Sequence, residues 1–453
     1  MDIHAKTALL GSDWVQNVRL SVTDGRVAAL EAGADPQAAD LRVDTLLPAL
    51  GNLHSHAFQR AMAGMTEVRA AGKESFWTWR TLMYCFLERL TPEHVEAIAA
   101  LVYMEMQEAG YASVGEFHYV HHQPGGGTYD QLSELSQRIF AAAGRTGIGL
   151  THLPVLYTYG GVAQEPLSGG QLRFGNDVDR FLRLVDDCRA ALPDMTADTS
   201  VGIAPHSLRA TSPADLAAVL QQAPDGPVHI HISEQLKEVA DVEAKLGQRP
   251  VAWLLDNVPV DNHWCLIHAT HMTDAETTAL ARSGAVAGLC PITEANLGDG
   301  IFNGSVYLDQ GGAFGVGSDS NVRISLTEEL RTLEYSQRLR DMARTVLVPG
   351  EGSVGHTLYI GAARGGAQAL GRGAGEIAVG QLADLVAIDR NHPSLCALED
   401  HQLLDGLCFA APDTVVTDLW SAGRHMVQGG RHVARNGIIA DYRKAMADLL
   451  ADG

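Results

Sequence analysis

His54 and His56 stand two residues apart at the end of an apolar run. In extended backbone that spacing turns both imidazoles to one side, where they could hold one metal ion. An H-x-H pair is a weak signal alone, because two polar residues on a loop after a strand look the same. The pattern returns at His229 and His231, where one ligand would suffice and His229 also reads as a satisfied core histidine. Asp319, in Gly-Val-Gly-Ser-Asp-Ser, follows another apolar run and offers a carboxylate ligand. The competing reading of Asp319 is a cap for a helix starting near Ser325. Glu116 with His118 and Tyr119, His206 with Arg209, Glu234, and His268 with His271 end further apolar runs. So many polar residues at one kind of position point to a single divalent cation. Neutral imidazoles plus one carboxylate suit Zn²⁺ or Fe²⁺ better than Mg²⁺, which prefers oxygen ligands.

These side chains need a scaffold that brings strand ends together. Candidate strands lie at 47–53, 111–117, 148–157, 200–206, 227–233, 264–270, 285–292 and 313–319, with helical patterns between them. The clearest helix has Thr91 as cap, Pro92 in its first turn, Glu93 near its positive end and Gly110 as terminator. Another begins near Ser212-Pro213. Eight strands alternating with helices predict a (β/α)8 TIM-like barrel, which keeps its active site at the strand C-termini. A doubly wound open sheet shares the pattern. Both ends of the chain read differently. VRLSVTDGRVAAL is two alternating runs around Asp24-Gly25, a hairpin signal, and the tail holds short strands with Gly-rich turns. The expected organisation is a barrel over 47–374 and a small β-sandwich domain built from 1–46 and 375–453. A last helix is expected over DYRKAMADLLA.

The chain has 33 Lys and Arg against 54 Asp and Glu, a net charge of −21. That excess repels phosphate backbones and anionic lipid, so no nucleic acid and no membrane are expected as partners. An apolar share of 46% supplies a large core and excludes disorder as the main state. No apolar run approaches the ~18 residues of a membrane span, and the start lacks a basic stretch followed by an apolar one. Six scattered cysteines form no C-x-x-C pair. A cytoplasmic protein with reduced thiols is the expectation.

Taken together, the motifs match a known family. His54-Ser55-His56, His231-Ile232-Ser233-Glu234, His268, Cys290-Pro291-Ile292-Thr293 and Ser318-Asp319 resemble the amidohydrolase superfamily, in its deaminase branch. The tail GEIAVGQLADLVAID is similar to that superfamily's return into its small β domain. NLHSHAFQRAMAGMTE, SFWTWRTLMY, EFHYVHH, HSLRA, HIHISEQ, HATH and TEANLGDGIF, in this order, resemble the formimidoylglutamate deiminases of histidine degradation. One position departs: the family pattern has a histidine after the Gly-Ser-Asp-Ser run, where this chain has Asn321.

The resemblance implies hydrolysis of N-formimino-L-glutamate to N-formyl-L-glutamate and ammonia. It implies one Zn²⁺ on His54, His56, His231 and Asp319, with His268 and Glu234 beside the reacting water. Gln59, Arg80, Tyr119, His206 and Arg209 would hold a small dicarboxylate substrate. Residues alone read Arg80 as a surface or helix-end arginine stacked on Trp77 or Trp79. Two arginines would turn one pocket of an acidic protein positive. The alternatives are a deaminase of a nucleobase or other amidine, a non-catalytic metal-binding barrel, and a binuclear hydrolase using Glu116. Analogy with related barrels allows a homodimer.

Overall fold

Eight short parallel strands make the centre of the molecule, seen in a computed structural model that describes residues 1–67, 76–223 and 225–451. We number them β1 (Leu50–Ser55), β2 (Tyr111–His118), β3 (Gly149–Leu156), β4 (Ser200–Val201 with Ala204–Pro205), β5 (Val228–Ile232), β6 (Trp264–His268), β7 (Val286–Leu289) and β8 (Ala313–Val316). Hydrogen bonds join β1 to β4 in one run and β5 to β8 in another. Parallel bridges Ile203–Val228 and Ser55–Asp319 close the two runs into a ring. Strands covered on both faces read as continuous apolar runs, and every residue of β2 and β3 is buried.

The helices follow their local signals. Pro92–Ala109 starts at Thr91, whose side chain accepts from His94 N, and stops at Gly110 with φ 106°. Pro213–Gln222 is capped by Ser212. The last helix begins at Arg435 and ends at Leu450, earlier than expected, because Asn-Gly in its first turn masks the start.

The small sheet has the order 431–432, 424–428, 416–421, 385–388, 41–48, 2–10, 13–23, 26–32. Both chain ends therefore build it. Asp24 and Gly25 take φ 49° and 76° in the expected hairpin. Its inward residues, including Ile3, Leu20, Leu46, Leu385 and Trp420, form a cluster apart from the main core. The apolar run 47–53 is divided between two sheets: Leu41–Pro48 ends in the small one, and Leu50 starts β1. Ala49 N donates to Asp384 O at this crossing. A buried ion cluster joins the layers, with Arg372 on Asp198 and Asp384, and Arg424 on Asp198. No helix among the described residues is long and apolar enough to cross a membrane.

Candidate metal centre and active site

The seam that closes the barrel positions three donors. Asp319 N donates to His54 O, and His56 N donates to Asp319 O, both at 2.9 Å. Gly317 permits the approach of β8 to β1, since a Cβ there would lie 2.7 Å from both His54 N and His54 O. His231 reaches in from β5, and its Nε2 is 3.1 Å from His54 Nε2. Asp319 Oδ1 lies 3.5 Å from His54 Nε2 and 3.3 Å from His56 Nε2. Donors on a tetrahedral ion with bonds of ~2.0–2.1 Å are about 3.3–3.4 Å apart. The two carboxylate–imidazole separations bracket that spacing, and the imidazole–imidazole separation lies just below it. The donor set therefore fits a divalent cation.

The surroundings prepare these donors. His56 Nδ1 meets Phe117 O at 2.9 Å, and His231 Nδ1 meets His206 O at 3.1 Å. Those carbonyls keep the proton on Nδ1 and leave the Nε2 lone pair for a ligand. Burial pushes His54 down to about 3 and lowers His56 and His231, so the imidazoles are neutral at pH 7. Burial raises Asp319, but His54, His56 and His268 outweigh it and hold the carboxylate below its usual range. Ser233, His268 and Asp319 have φ of 53°, 69° and 48°, strained for residues with a side chain.

Beside the donors, His268 Nε2 lies 3.8 Å from Asp319 Oδ2 and 3.9 Å from Glu234 Oε1. Burial lowers His268, yet Glu234, Glu294 and Asp319 together lift it to about 10. Burial raises Glu234, while His268 and Arg209 pull it back. Arg209 Nη2 is 3.6 Å from Glu234 Oε2, and its Nε is 4.0 Å from Glu238 Oε2.

A cleft of about 550 Å³, its mouth included, opens onto this group, and Gln59, Arg80, Tyr119, His206 and Arg209 all line it. Gln59 Nε2 donates to Tyr119 Oη at 2.6 Å. Arg80 Nη2 donates to Tyr157 Oη at 2.9 Å, and its guanidinium lies 5.3 Å from the centre of the Tyr84 ring. The surface-arginine expectation for Arg80 therefore yields to a place in the cleft wall; the Trp77 side chain lies outside the described residues. Burial, with Arg209 and Arg80 adding to it, keeps His206 neutral.

Other candidates fall elsewhere. Ser325 caps its own helix by accepting from Glu328 N, so Asp319 does not cap it. His229 Nε2 bonds Ala369 O at 2.7 Å, as a core histidine would. Glu116 Oε1 accepts from Ala57 N at 2.8 Å and backs the His54–His56 loop; burial pushes it up to about 8. His121 and His122 bond backbone carbonyls behind the cleft. Asn321 holds the seam from behind, accepting from Ser318 Oγ at 2.6 Å and donating to Ser55 Oγ at 3.2 Å. Tyr84, Tyr157, Phe174, Glu238 and Glu294 escaped the sequence reading. Only Glu238 had a local signal: it stands one helical turn after Glu234.

Comparison with known proteins shows the family. The amidohydrolase family model matches residues 45–426, and the model described as formimidoylglutamate deiminase HutF, N-terminal domain, matches residues 2–44. A formimidoylglutamate deiminase of Pseudomonas aeruginosa is 49% identical over 99% of each chain. A crystal structure of an amidohydrolase from Brucella melitensis superposes with a TM-score of 0.95 at 47% identity over 99% of each chain. An adenosine deaminase from Xanthomonas campestris, crystallised with bound zinc, shares the fold at a TM-score of 0.82 and 23% identity, covering 99% of this chain and 98% of its own. The chain belongs to the amidohydrolase family and, within it, to the formimidoylglutamate deiminases.

Proposed function

We propose that this chain, acting through its barrel over 47–374, hydrolyses N-formimino-L-glutamate to N-formyl-L-glutamate and ammonia with one zinc ion on His54, His56, His231 and Asp319. The observation that carries this reading is that one cleft is lined by Glu234, His268 and Asp319 together with Arg80 and Arg209. A formimino group is an amidine, cationic near neutral pH, and the substrate also carries two carboxylates, one on the carbon that bears the formimino nitrogen and one at the end of the side chain. The cleft offers a carboxylate for the first and guanidinium forks for the second. The 49% identical relative, named for the same reaction, adds support.

Bound zinc would supply a water of lowered pKa and a Lewis acid. The chain's own groups do the rest. Asp319 Oδ2 takes a proton from the attacking water. His268 Nε2, 3.8 Å away, orients that water and stabilises charge on the new C–O bond. The proton taken from the water is passed on to Glu234, ionised while it pairs with the cation, and Glu234 delivers it to the leaving nitrogen, so that neutral ammonia departs. The bond formed is carbon to water oxygen, and the bond broken is carbon to the terminal nitrogen. Arg209 faces Glu234 at 3.6 Å and meets the substrate carboxylates beside it. Gln59, Tyr119 and His206 add hydrogen bonds to the same carboxylates. Tyr119 and Tyr157 each pack edge-on against Phe174, which suits a linear substrate better than a stacked ring.

The five described cysteines are free thiols, in keeping with work in the cytoplasm, and a homodimer is the assembly we propose by analogy. The test is ammonia release from N-formimino-L-glutamate by zinc-loaded enzyme, with mass detection of the formyl product. Guanine, adenosine and cytosine serve as competing substrates. Turnover of one of these in place of the amidine acid, or release of formamide, would overturn the reading. Loading with Fe²⁺ beside Zn²⁺ separates the two metals by specific activity.

A further inference from the structure

Of the site imidazoles, His268 is the one whose Nδ1 faces a carboxylate. His56 and His231 turn Nδ1 to the backbone carbonyls of Phe117 and His206. His268 Nδ1 instead lies 3.2 Å from Glu294 Oε1. Glu294 sits on the short helix Pro291–Leu297 after β7, and it is 5% exposed. Two hydrogen bonds tie the start of that helix to its neighbours. Ile292 N donates to Glu329 Oε2 at 2.9 Å, and Thr293 Oγ1 donates to Ser318 O at 3.2 Å beside the end of β8.

The difference in acceptor has a chemical sense. Histidines that hand Nε2 to a metal need only a fixed ring and a proton parked on Nδ1, and a neutral carbonyl supplies both. His268 is set between Asp319 Oδ2 and Glu234 Oε1, at 3.8 and 3.9 Å from its Nε2. Nothing covalent holds the ring there, and the backbone is in a strained left-handed conformation at both His268 and Ala269, with φ 69° and 48°. A charged acceptor makes the stronger hydrogen bond and holds the ring more firmly.

We propose that Glu294 is a positioning residue for the reaction: by accepting the Nδ1–H of His268, it fixes the ring orientation so that Nε2 is aimed between Asp319 and Glu234. This rests on the reading of His268 as the group that orients the water. Glu294 Oε1 also accepts from Cys290 N at 2.9 Å, so a purely structural role as a helix-start cap is the competing explanation.

Two variants separate them. Glu294→Gln keeps an acceptor for Cys290 N–H but loses the charge. Glu294→Met keeps the volume and loses the acceptor. Removal of such an outer partner commonly costs about 10–100-fold in activity. Positioning predicts that kcat falls about 100-fold in Glu294→Met and about tenfold in Glu294→Gln, with KM within about twofold and metal content unchanged. It also predicts that Glu294→Met costs almost nothing further in a His268→Asn background, because the two residues act as one unit. Normal kcat in Glu294→Met, or the same fold-loss in the His268→Asn background, overturns the proposal. Nitrogen-15 NMR of the imidazoles reads the Nδ1–H bond without substrate: the His268 Nδ1–H signal should move in both variants. An unmoved signal refutes the bond even if the substrate assignment stands. Failure of the parent enzyme to release ammonia from N-formimino-L-glutamate sinks the substrate assignment, and the NMR result then decides the Glu294 contact alone.

Discussion

Arg209 has two jobs in the proposed reaction, and Arg209→Met removes both. Its Nη2 lies 3.6 Å from Glu234 Oε2, and the two side chains are 10% and 6% exposed. At an effective dielectric of ~20, unit charges at that separation interact by ~4–5 kcal/mol. Most of that attraction favours ionised Glu234, and Glu238, whose Oε2 accepts from Glu234 N at 3.0 Å, would repel it once the cation is gone. Glu234 is already raised by burial. Without Arg209 its proton is held more tightly and is a poorer gift to the leaving nitrogen. The substrate carboxylate loses its fork as well, at ~2–5 kcal/mol for a buried charged contact. The two losses overlap, so we expect kcat/KM to fall on the order of 10³–10⁴-fold at ~1.4 kcal/mol per decade. kcat itself should fall too. Arg80 Nη2 donates to Tyr157 Oη, so Arg80→Met should raise KM and leave kcat within about threefold. Coupled ammonia release on enzyme of verified metal content measures all four parameters. The reasoning fails if Arg209→Met keeps kcat/KM within tenfold of the parent, or if it loses its metal.

Other expectations follow from the same geometry. Glu234→Gln should lower kcat by about 10²–10⁴-fold, the usual worth of a positioned proton donor, with metal retained by elemental analysis. Gly317→Ala should press β8 off β1, because its Cβ would sit 2.7 Å from the His54 backbone. Reduced metal content at matched folded fraction is the readout, and normal loading would count against the seam account. Chelation should lower the melting temperature and zinc should restore it, since a ligand of the native state stabilises by mass action; an unchanged temperature would contradict the ligand set. Asp198 gives a pH effect. Burial raises its carboxyl, but Arg424 and Arg372 outweigh that and hold it below the usual range. A depressed folded pKa means stabilisation present above the unfolded value of ~3.9 and lost as pH falls through the folded one. Asp198→Asn should therefore cost about 3–5 kcal/mol at pH 7 and progressively less on acidification, in melting curves taken from pH 7 to 2.

Much of the site was legible because its residues stand at strand ends. His54, His56, His231, His268 and Asp319 each follow an apolar run, and the barrel rule sends all such ends to one face. Thr91-Pro92 and Asp24-Gly25 marked their helix and hairpin because local chemistry alone decides them. The rest depended on tertiary context. The run 47–53 holds Pro48 one residue before its division between two sheets at Ala49, a breaker signal that the continuous apolar pattern masked. Tyr157 and Glu294 act through partners far along the chain, Arg80 and His268, and no spacing rule links such pairs. Arg80 itself read as a surface residue until the cleft enclosed it.

The seam at β8 and β1 carries a consequence for synthesis. His54 and His56 leave the ribosome early, His231 in the middle and Asp319 late. A partial chain can offer metal two imidazoles on a loose strand, but the fourth donor arrives only when β8 docks beside β1. Tight capture of the ion must then wait for the ring to close. With the proposed ligand set, metal binding would report a completed barrel, because a chain truncated before Asp319 lacks the residue whose backbone bonds the end of β1 and whose carboxylate lies beside His54.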